Sequence, residues 1–266
     1  NLCESLAIDS GRKFSVHLKI DTGMTRLGCD LSDAPGLVKK INGLKNVKLK
    51  GVYSHLALAD GDLDGALEKE VTQQQKERFD QVLRVLPAQG DGFFRHIANS
   101  AGTLRDKALH YDMVRVGLAL YGYSPIKQLI EQIDFSPALA LKAKVNLIRE
   151  VPKGVGVSYG HRFITKRKTR LAVVGIGYAD GVVRSLSGSI FVLINGQVLP
   201  QIGAITMDQM VVDATDCQDL AIGSVVTILG KDGDKSIGPK DWSEVSGLIP
   251  WEVLCSFKHR LPRIVI

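Results

Sequence analysis

The chain has 266 residues, 45% hydrophobic and 23% charged, with a net charge of +6 at pH 7. That balance excludes collagen-like, mucin-like and disordered material, and the length can bury a core without disulfide staples. No run of about 18 apolar residues is present to cross a membrane, and Asn1-Leu2-Cys3-Glu4-Ser5 has neither the basic start nor the apolar centre of a signal peptide. Cys3, Cys29, Cys217 and Cys255 match neither a disulfide framework nor paired CxxC zinc ligands. Free thiols, a cytoplasmic location, no membrane partner and no metal site are expected. The one dense basic cluster, Lys166-Arg167-Lys168 with Arg170, accompanies no nucleic-acid-binding signature and reads as a solvated loop, so no nucleic-acid partner is expected.

In chain order, strand-like runs at 14–20, 47–56, 93–98 and 114–121 alternate with helical stretches at 33–41, 66–86 and from Ser100 onward. Within 66–86, Leu67, Val71, Phe79, Val82 and Leu86 recur near the helical period. Strands spaced by helices indicate parallel βαβ units, with ligands at the C-terminal ends of the strands. The first run places Phe14, Val16, Leu18 and Ile20 on one face and Ser15, His17, Lys19 and Asp21 on the other. A barrel, with helices outside and polar groups inward, fits that division better than an open sheet covered on both faces. About four βα units cannot close a (β/α)8 barrel, so the expected fold is α/β plus β: the C-terminal part of a TIM-like barrel over residues 1–123, then an all-β domain over 124–266. A looser stretch leads into β-runs at 138–151, 169–177, 189–194, 198–205, 210–214 and 224–229, punctuated by signals such as Asn195-Gly196. Short helices at 242–247 and 251–259 and a last apolar strand close the chain.

Several motifs fail. Asp60-Gly-Asp62-Leu-Asp64-Gly65 matches half a calcium loop, but the twelfth position is Val71 rather than glutamate. The glycine-rich runs from Gly154 to Gly160 and from Gly175 to Gly181 are one residue too long for a dinucleotide fingerprint and open no helix. What remains stands at strand ends: Lys19 to Gly28 with Arg26 as a planar fork, His55, the pair Asn99-Ser100, and Arg115-Val-Gly117-Leu118. Each has a bland reading as turn, edge group or helix cap. Together, four consecutive strand ends suggest a site for an aromatic, phosphorylated ligand.

These segments carry a resemblance. His17-Leu-Lys19-Ile-Asp21-Thr22-Gly23-Met24, Ser54-His55, His96-Ile-Ala98-Asn99-Ser100-Ala101, and Asp112-Met-Val-Arg115-Val-Gly117-Leu-Ala-Leu-Tyr121-Gly122 are similar to the bacterial alanine racemase family. So are Val157-Ser158-Tyr159-Gly160, Gly177-Tyr178-Ala179-Asp180-Gly181, Met207-Asp208-Gln209 and Arg260-Leu-Pro262-Arg263. The family joins an eight-stranded barrel to a C-terminal β domain and uses pyridoxal 5'-phosphate. The resemblance implies Tyr159 as a catalytic base and Arg26, Met207, Tyr178 and Asp208 at the substrate, with Tyr178 in the entrance region. It implies His55, Asn99, Ser100, Arg115, Gly117 and Leu118 at the cofactor, and Lys19 as a lysine carbamylated in many members. It further implies a head-to-tail homodimer in which Tyr159 and Met207 serve the other protomer's barrel.

Two departures qualify the resemblance. The family's Schiff-base lysine stands in a Lys-Ala-x-Ala-Tyr-Gly-like motif that these 266 residues do not contain. The chain is therefore expected to begin part-way through the barrel and to be inactive as given. Where relatives can carry a phosphate-binding tyrosine, this chain has His259. The implied function is interconversion of L- and D-alanine for peptidoglycan precursors. The alternatives are a broad-specificity amino-acid racemase acting on serine, and a non-catalytic remnant or one half of a split enzyme.

Overall fold

The alternation at the first strand run folds as expected. In the computed structural model, which describes residues 2–86, 90 and 92–266, β1 (Phe14–Lys19), β2 (Val47–Tyr53) and β3 (Phe94–His96) form a parallel sheet in that order. They belong to the first of two compact units, Asn1–Ser136 and Pro137–Ile266. Parallel neighbours need crossovers, and α2 (Ala34–Asn42) and α3 (Ala66–Val85) supply them, after α1 (Leu2–Ser10) and before α4 (Ser100–Arg105). Ile20, Val52 and Ile97 are fully buried with Ala34, Phe79 and Val82 in one apolar core. His17, Tyr53, Phe94 and His96 meet ring to ring on the sheet. Gly51 stands opposite His17 in register, where a Cβ would lie 2.3 Å from the Phe94 carbonyl oxygen and 2.8 Å from His17 Nδ1. Only glycine leaves room for that ring.

This unit departs from the sequence reading at several points. The predicted strand over 114–121 is not one: Asp112 and Arg115 each donate a single backbone bond, to Arg95 and Ala98. Gly117, at φ −118° and ψ −82°, then turns the chain into a 3-10 turn over Leu118–Tyr121. The described residues of the unit therefore contain three parallel strands in place of about four βα units. The buried face of α3 is Thr72, Gln75, Phe79 and Val82, while Leu67 is 62% exposed. The stretch assigned to the second domain from residue 124 packs into the first unit instead, where Ile126 and Leu129 join its core.

The second unit is antiparallel and almost all β. Its strands are β4 (Leu141–Val151), β5 (Gly156–Val157), β6 (Phe163–Ile164), β7 (Thr169–Val174), β8 (Phe191–Ile194), β9 (Gln197–Ile202), β10 (Met210–Asp213), β11 (Val225–Asp232) and β12 (Lys235–Ile237). Two helices, α5 (Pro239–Ser246) and α6 (Pro250–Cys255), follow. Seven strands run in the order β12-β11-β4-β7-β10-β9-β8, and β11 also meets β8 at Thr227 and Leu193, closing a ring that covers its own edges. Inside it Val174, Val192, Met210, Val226, Ile228 and Trp242 are buried. Asn195 and Gly196, both at positive φ, make the β8–β9 turn that their sequence predicts. The expected final strand is absent: Ile264, Val265 and Ile266 are exposed and pair with no described strand. The basic cluster lies in a bend, with Arg167 paired to Asp216 and Lys168 to Glu150. All four cysteines are free.

Candidate active site

The chain leaves β1 through a closed loop. Asp21 N–H donates to the Cys29 carbonyl and Cys29 N–H to the Lys19 carbonyl across it, and the Asp21 carboxylate accepts from the N–H groups of Gly23, Met24 and Thr25 at 2.9–3.1 Å. Those three bonds, led by Gly23, hold the Asp21 pKa below the usual carboxylate range. Gly28 closes the loop at φ +128°, where a Cβ would fall 2.6 Å from the Asp21 nitrogen. Arg26 thus projects from a fixed frame and is exposed. Lys19, at the end of β1, is held below the ordinary lysine value by burial first and then by Arg26. Behind the loop, buried Gln75 of α3 accepts from Ala57 N–H at 2.8 Å and donates to the His55 carbonyl at 3.0 Å and to Thr22 Oγ1 at 3.3 Å. This residue ties the ends of β1 and β2 to the helix.

Arg115 organises the other side. Its Nη1 donates to His96 Nδ1 at 2.5 Å, and its Nη2 to the Ser54 carbonyl at 2.7 Å and to His55 Nδ1 at 3.1 Å. The guanidinium also lies 5.1 Å from the Tyr53 ring centroid. Because an arginine only donates, both Nδ1 atoms are acceptors and both imidazoles are neutral. The His96 proton is then on Nε2, 2.7 Å from His17 Nδ1, and passes the same polarity on to His17. Burial, with Arg115 next, pulls His96 down to about 4, and the same two causes lower His55.

The pair at the start of α4 divides its labour. Asn99 takes the capping role, its side chain accepting from Gly102 N–H at 2.9 Å. Ser100 is buried, and its hydroxyl accepts from Gly117 N–H at 2.9 Å and Ala119 N–H at 3.4 Å. Leu118 is buried behind them, whereas a Cβ on Gly117 would meet nothing within 4 Å, so the glycine faces open space.

The remaining residues belong to the second unit. Tyr159, 74% exposed, stands on the tip that joins β5 to β6. Tyr178 and Ala179 donate backbone bonds to the carbonyls of Thr206 and Met207, a close approach that requires Gly177, whose Cβ would lie 2.2 Å from the Thr206 oxygen. Buried Asp180 accepts from Gly177 N–H and pairs with Arg260, which also holds Asp208 at 2.5 Å. Among the described residues the Met207 N–H has no protein acceptor, and Met207 is exposed. His17, Tyr53, Gln75 and His96 were not among the sequence-derived site residues. The only signal for Gln75 is a polar residue on the apolar stripe of α3.

Residues 1–125 match the family model of the alanine racemase N-terminal domain, and residues 138–265 that of the alanine racemase C-terminal domain. An alanine racemase of Prochlorococcus marinus is 59% identical over 265 residues, covering 100% of this chain and 68% of that protein. The chain belongs to the alanine racemase family. The alanine racemase of Bacillus anthracis, solved with bound L-Ala-P, superposes with a TM-score of 0.84 at 33% identity, covering 99% of this chain and 69% of the other. That of Bartonella henselae, with covalently bound pyridoxal phosphate, gives 0.81 at 32%, with the same coverage. The family's fold, an N-terminal domain followed by an all-β C-terminal domain, is that of this chain. The N-terminal match covers residues 1–125, and the chain spans about two thirds of the length of the relatives it matches. Alanine racemases are isomerases that use pyridoxal phosphate, and this chain's donors fit that group. A buried Ser100 hydroxyl that accepts from two main-chain N–H groups and has its own O–H left to donate, beside open space at Gly117, suits a phosphate. On the guanidinium of Arg115, Nε–H and one Nη1–H have no acceptor among the described residues and suit a ring nitrogen.

Proposed function

We propose that the full-length protein carrying these residues interconverts L- and D-alanine, supplying D-alanine for peptidoglycan precursors, with Tyr159 as one of two bases; the 266 residues do not contain the family's Schiff-base lysine motif and are expected to be inactive by themselves. The unspent donors of Ser100 and Arg115, beside open space at Gly117, are the observation that supports this assignment of roles. Ser100, Gly117 and Leu118 would hold the cofactor phosphate, with Asn99 fixing their helix, and His55 would lie beside the ring. Bound pyridoxal phosphate spreads the charge left at the substrate Cα when its proton departs. Arg115 keeps its proton, so the ring nitrogen would meet a donor and remain unprotonated, which restrains that spreading and with it side reactions such as transamination.

Racemisation needs a base on each face of Cα. Tyr159 would take the proton on one of them. The Arg26 fork and the Met207 N–H would take the substrate carboxylate. Asp208, held by Arg260, would fix the Met207 loop at the substrate, and Tyr178 would stand at the entrance. Burial and Arg26 leave the Lys19 amine more often neutral, the form that takes up carbon dioxide, and the resulting carbamate would pair with Arg26. The first unit reads as part of a TIM-like barrel. Head-to-tail homodimerisation would bring Tyr159 and Met207 of one protomer to the barrel of the other, in the cytoplasm.

The test is to load the full-length protein carrying these residues with pyridoxal phosphate, add L-alanine and L-serine separately, and follow the D-enantiomers by chiral chromatography. Rapid D-alanine formation with slower serine turnover is expected. Equal rates would favour the broad-specificity racemase, and no turnover of either would sink the proposal.

A further inference from the structure

We infer that Ser158 is the positioning residue for Tyr159, its hydroxyl clamping the hairpin tip to the loop that leads to Met207; this rests on the reading of Tyr159 as a base. The hairpin carrying Tyr159 is short. Its strands, β5 and β6, pair over two residues each; bonds of Gly154 and Val155 with Thr165, and Val157 buried with Leu171 and Ile202, anchor its base, whereas the tip lies beyond them. The tip must be held by something else, because among the described residues the Tyr159 side chain has no hydrogen bond of its own.

Ser158 is where the holding occurs. Its backbone sits at φ 62° and ψ −170°, a region essentially confined to glycine. A serine persists there only where its surroundings over-determine it, and glycine would occupy the position without strain. The Ser158 hydroxyl donates to the Ala204 carbonyl at 2.7 Å, the one feature a glycine could not supply. The approach depends on Gly203, at φ +68°, where a Cβ would lie 2.7 Å from the Val157 carbonyl oxygen and 3.0 Å from Ser158 Cβ. From Ala204 the chain runs directly to Thr206 and Met207, whose carbonyls hold the Tyr178 turn. The far side of the tip is fixed as well. His161 N–H reaches the Ser158 carbonyl at 3.3 Å, and the His161 ring packs over Gly156, where a Cβ would lie 2.3 Å away. One hydroxyl thus connects the segment that presents the phenol with the segment that presents the Met207 N–H.

A purely structural serine and a positioning serine predict opposite responses to glycine. Ser158→Gly relaxes the backbone and deletes the hydroxyl, so the folded protein keeps or raises its thermal midpoint while the phenol loses its fixed direction. In the holoenzyme, kcat for alanine should fall about 10- to 100-fold, with a smaller change in KM. The primary isotope effect with α-deuterated alanine should rise for the enantiomer whose proton Tyr159 removes and stay unchanged for the other. Ser158→Ala should show the same kinetics, and should it fail to fold, the glycine variant decides alone. Tyr159→Phe is measured alongside. If that variant is crippled while Ser158→Gly keeps the wild-type kcat and isotope effects, the inference about Ser158 is overturned and the base assignment stands. If Tyr159→Phe turns over like the wild type, the base assignment fails and takes this inference with it.

Discussion

Arg115 keeps its proton throughout the physiological range, and this one property fixes the state of three histidines around it. His96 and His55 must offer it a lone pair, and His17 in turn accepts from His96. The cost appears in acid. With the folded His96 at about 4 and an unfolded imidazole near 6.5, the unfolded chain binds the proton first. Stability is therefore complete above pH 6.5 and falls by about 3 kcal/mol as the pH drops toward 4. An NMR titration of the His96 ring checks this directly, and a midpoint at 6 or above would contradict it. Arg115→Lys keeps the charge but loses the fork, leaving His96 or the Ser54 carbonyl without a donor at about 1–3 kcal/mol per buried group. Urea denaturation should show the loss together with weaker retention of pyridoxal phosphate, and a variant as stable as the wild type would argue against the network.

Between elements, backbone proximity is the controlling quantity. Gly51→Ala would push a methyl group into the Phe94 carbonyl and the His17 ring, so β2 must shift or the ring must leave. We expect a loss of about 1–3 kcal/mol in thermal unfolding, with His17 released from His96, and an unchanged midpoint would show that the sheet yields easily. Elements with strong local patterns were legible from the sequence: the two-sided β1, the helix opened by Asn99-Ser100, and the Asn195-Gly196 turn. The misreadings have local causes. Val114, Val116 and Leu118 alternate like a strand, yet the chain turns at Gly117 before a ladder forms. The α1 helix was missed because its nine residues bury Ala7 alone and so carry no periodic apolar signal. Asn99, Ser100 and Arg115 could be found because they follow strands, where ligands gather. His17 and His96, 79 residues apart, meet only through sheet register, which no local pattern encodes.

At the scale of the whole molecule, each unit completes its own core, and the proposed site residues are divided between the units. In a head-to-tail dimer, complementation follows from that division. Tyr159→Phe and Arg26→Ala, each inactive alone, should regain about a quarter of wild-type activity when dissociated and reassociated together, since half the dimers would be mixed and each would hold one intact site. No recovery would place Tyr159 and Arg26 in the same protomer's site. The central claim is that the Tyr159 phenol moves the α-proton of alanine on one face. Its most direct test is the rate at which solvent deuterium enters the alanine Cα, followed by proton NMR, and at which D-alanine forms, followed by chiral chromatography, in the full-length pyridoxal-phosphate-loaded protein and its Tyr159→Phe variant. The account predicts deuterated L- and D-alanine with the wild type and a fall of D-alanine formation by about 100-fold or more in the variant. Racemisation by Tyr159→Phe at the wild-type rate would contradict it.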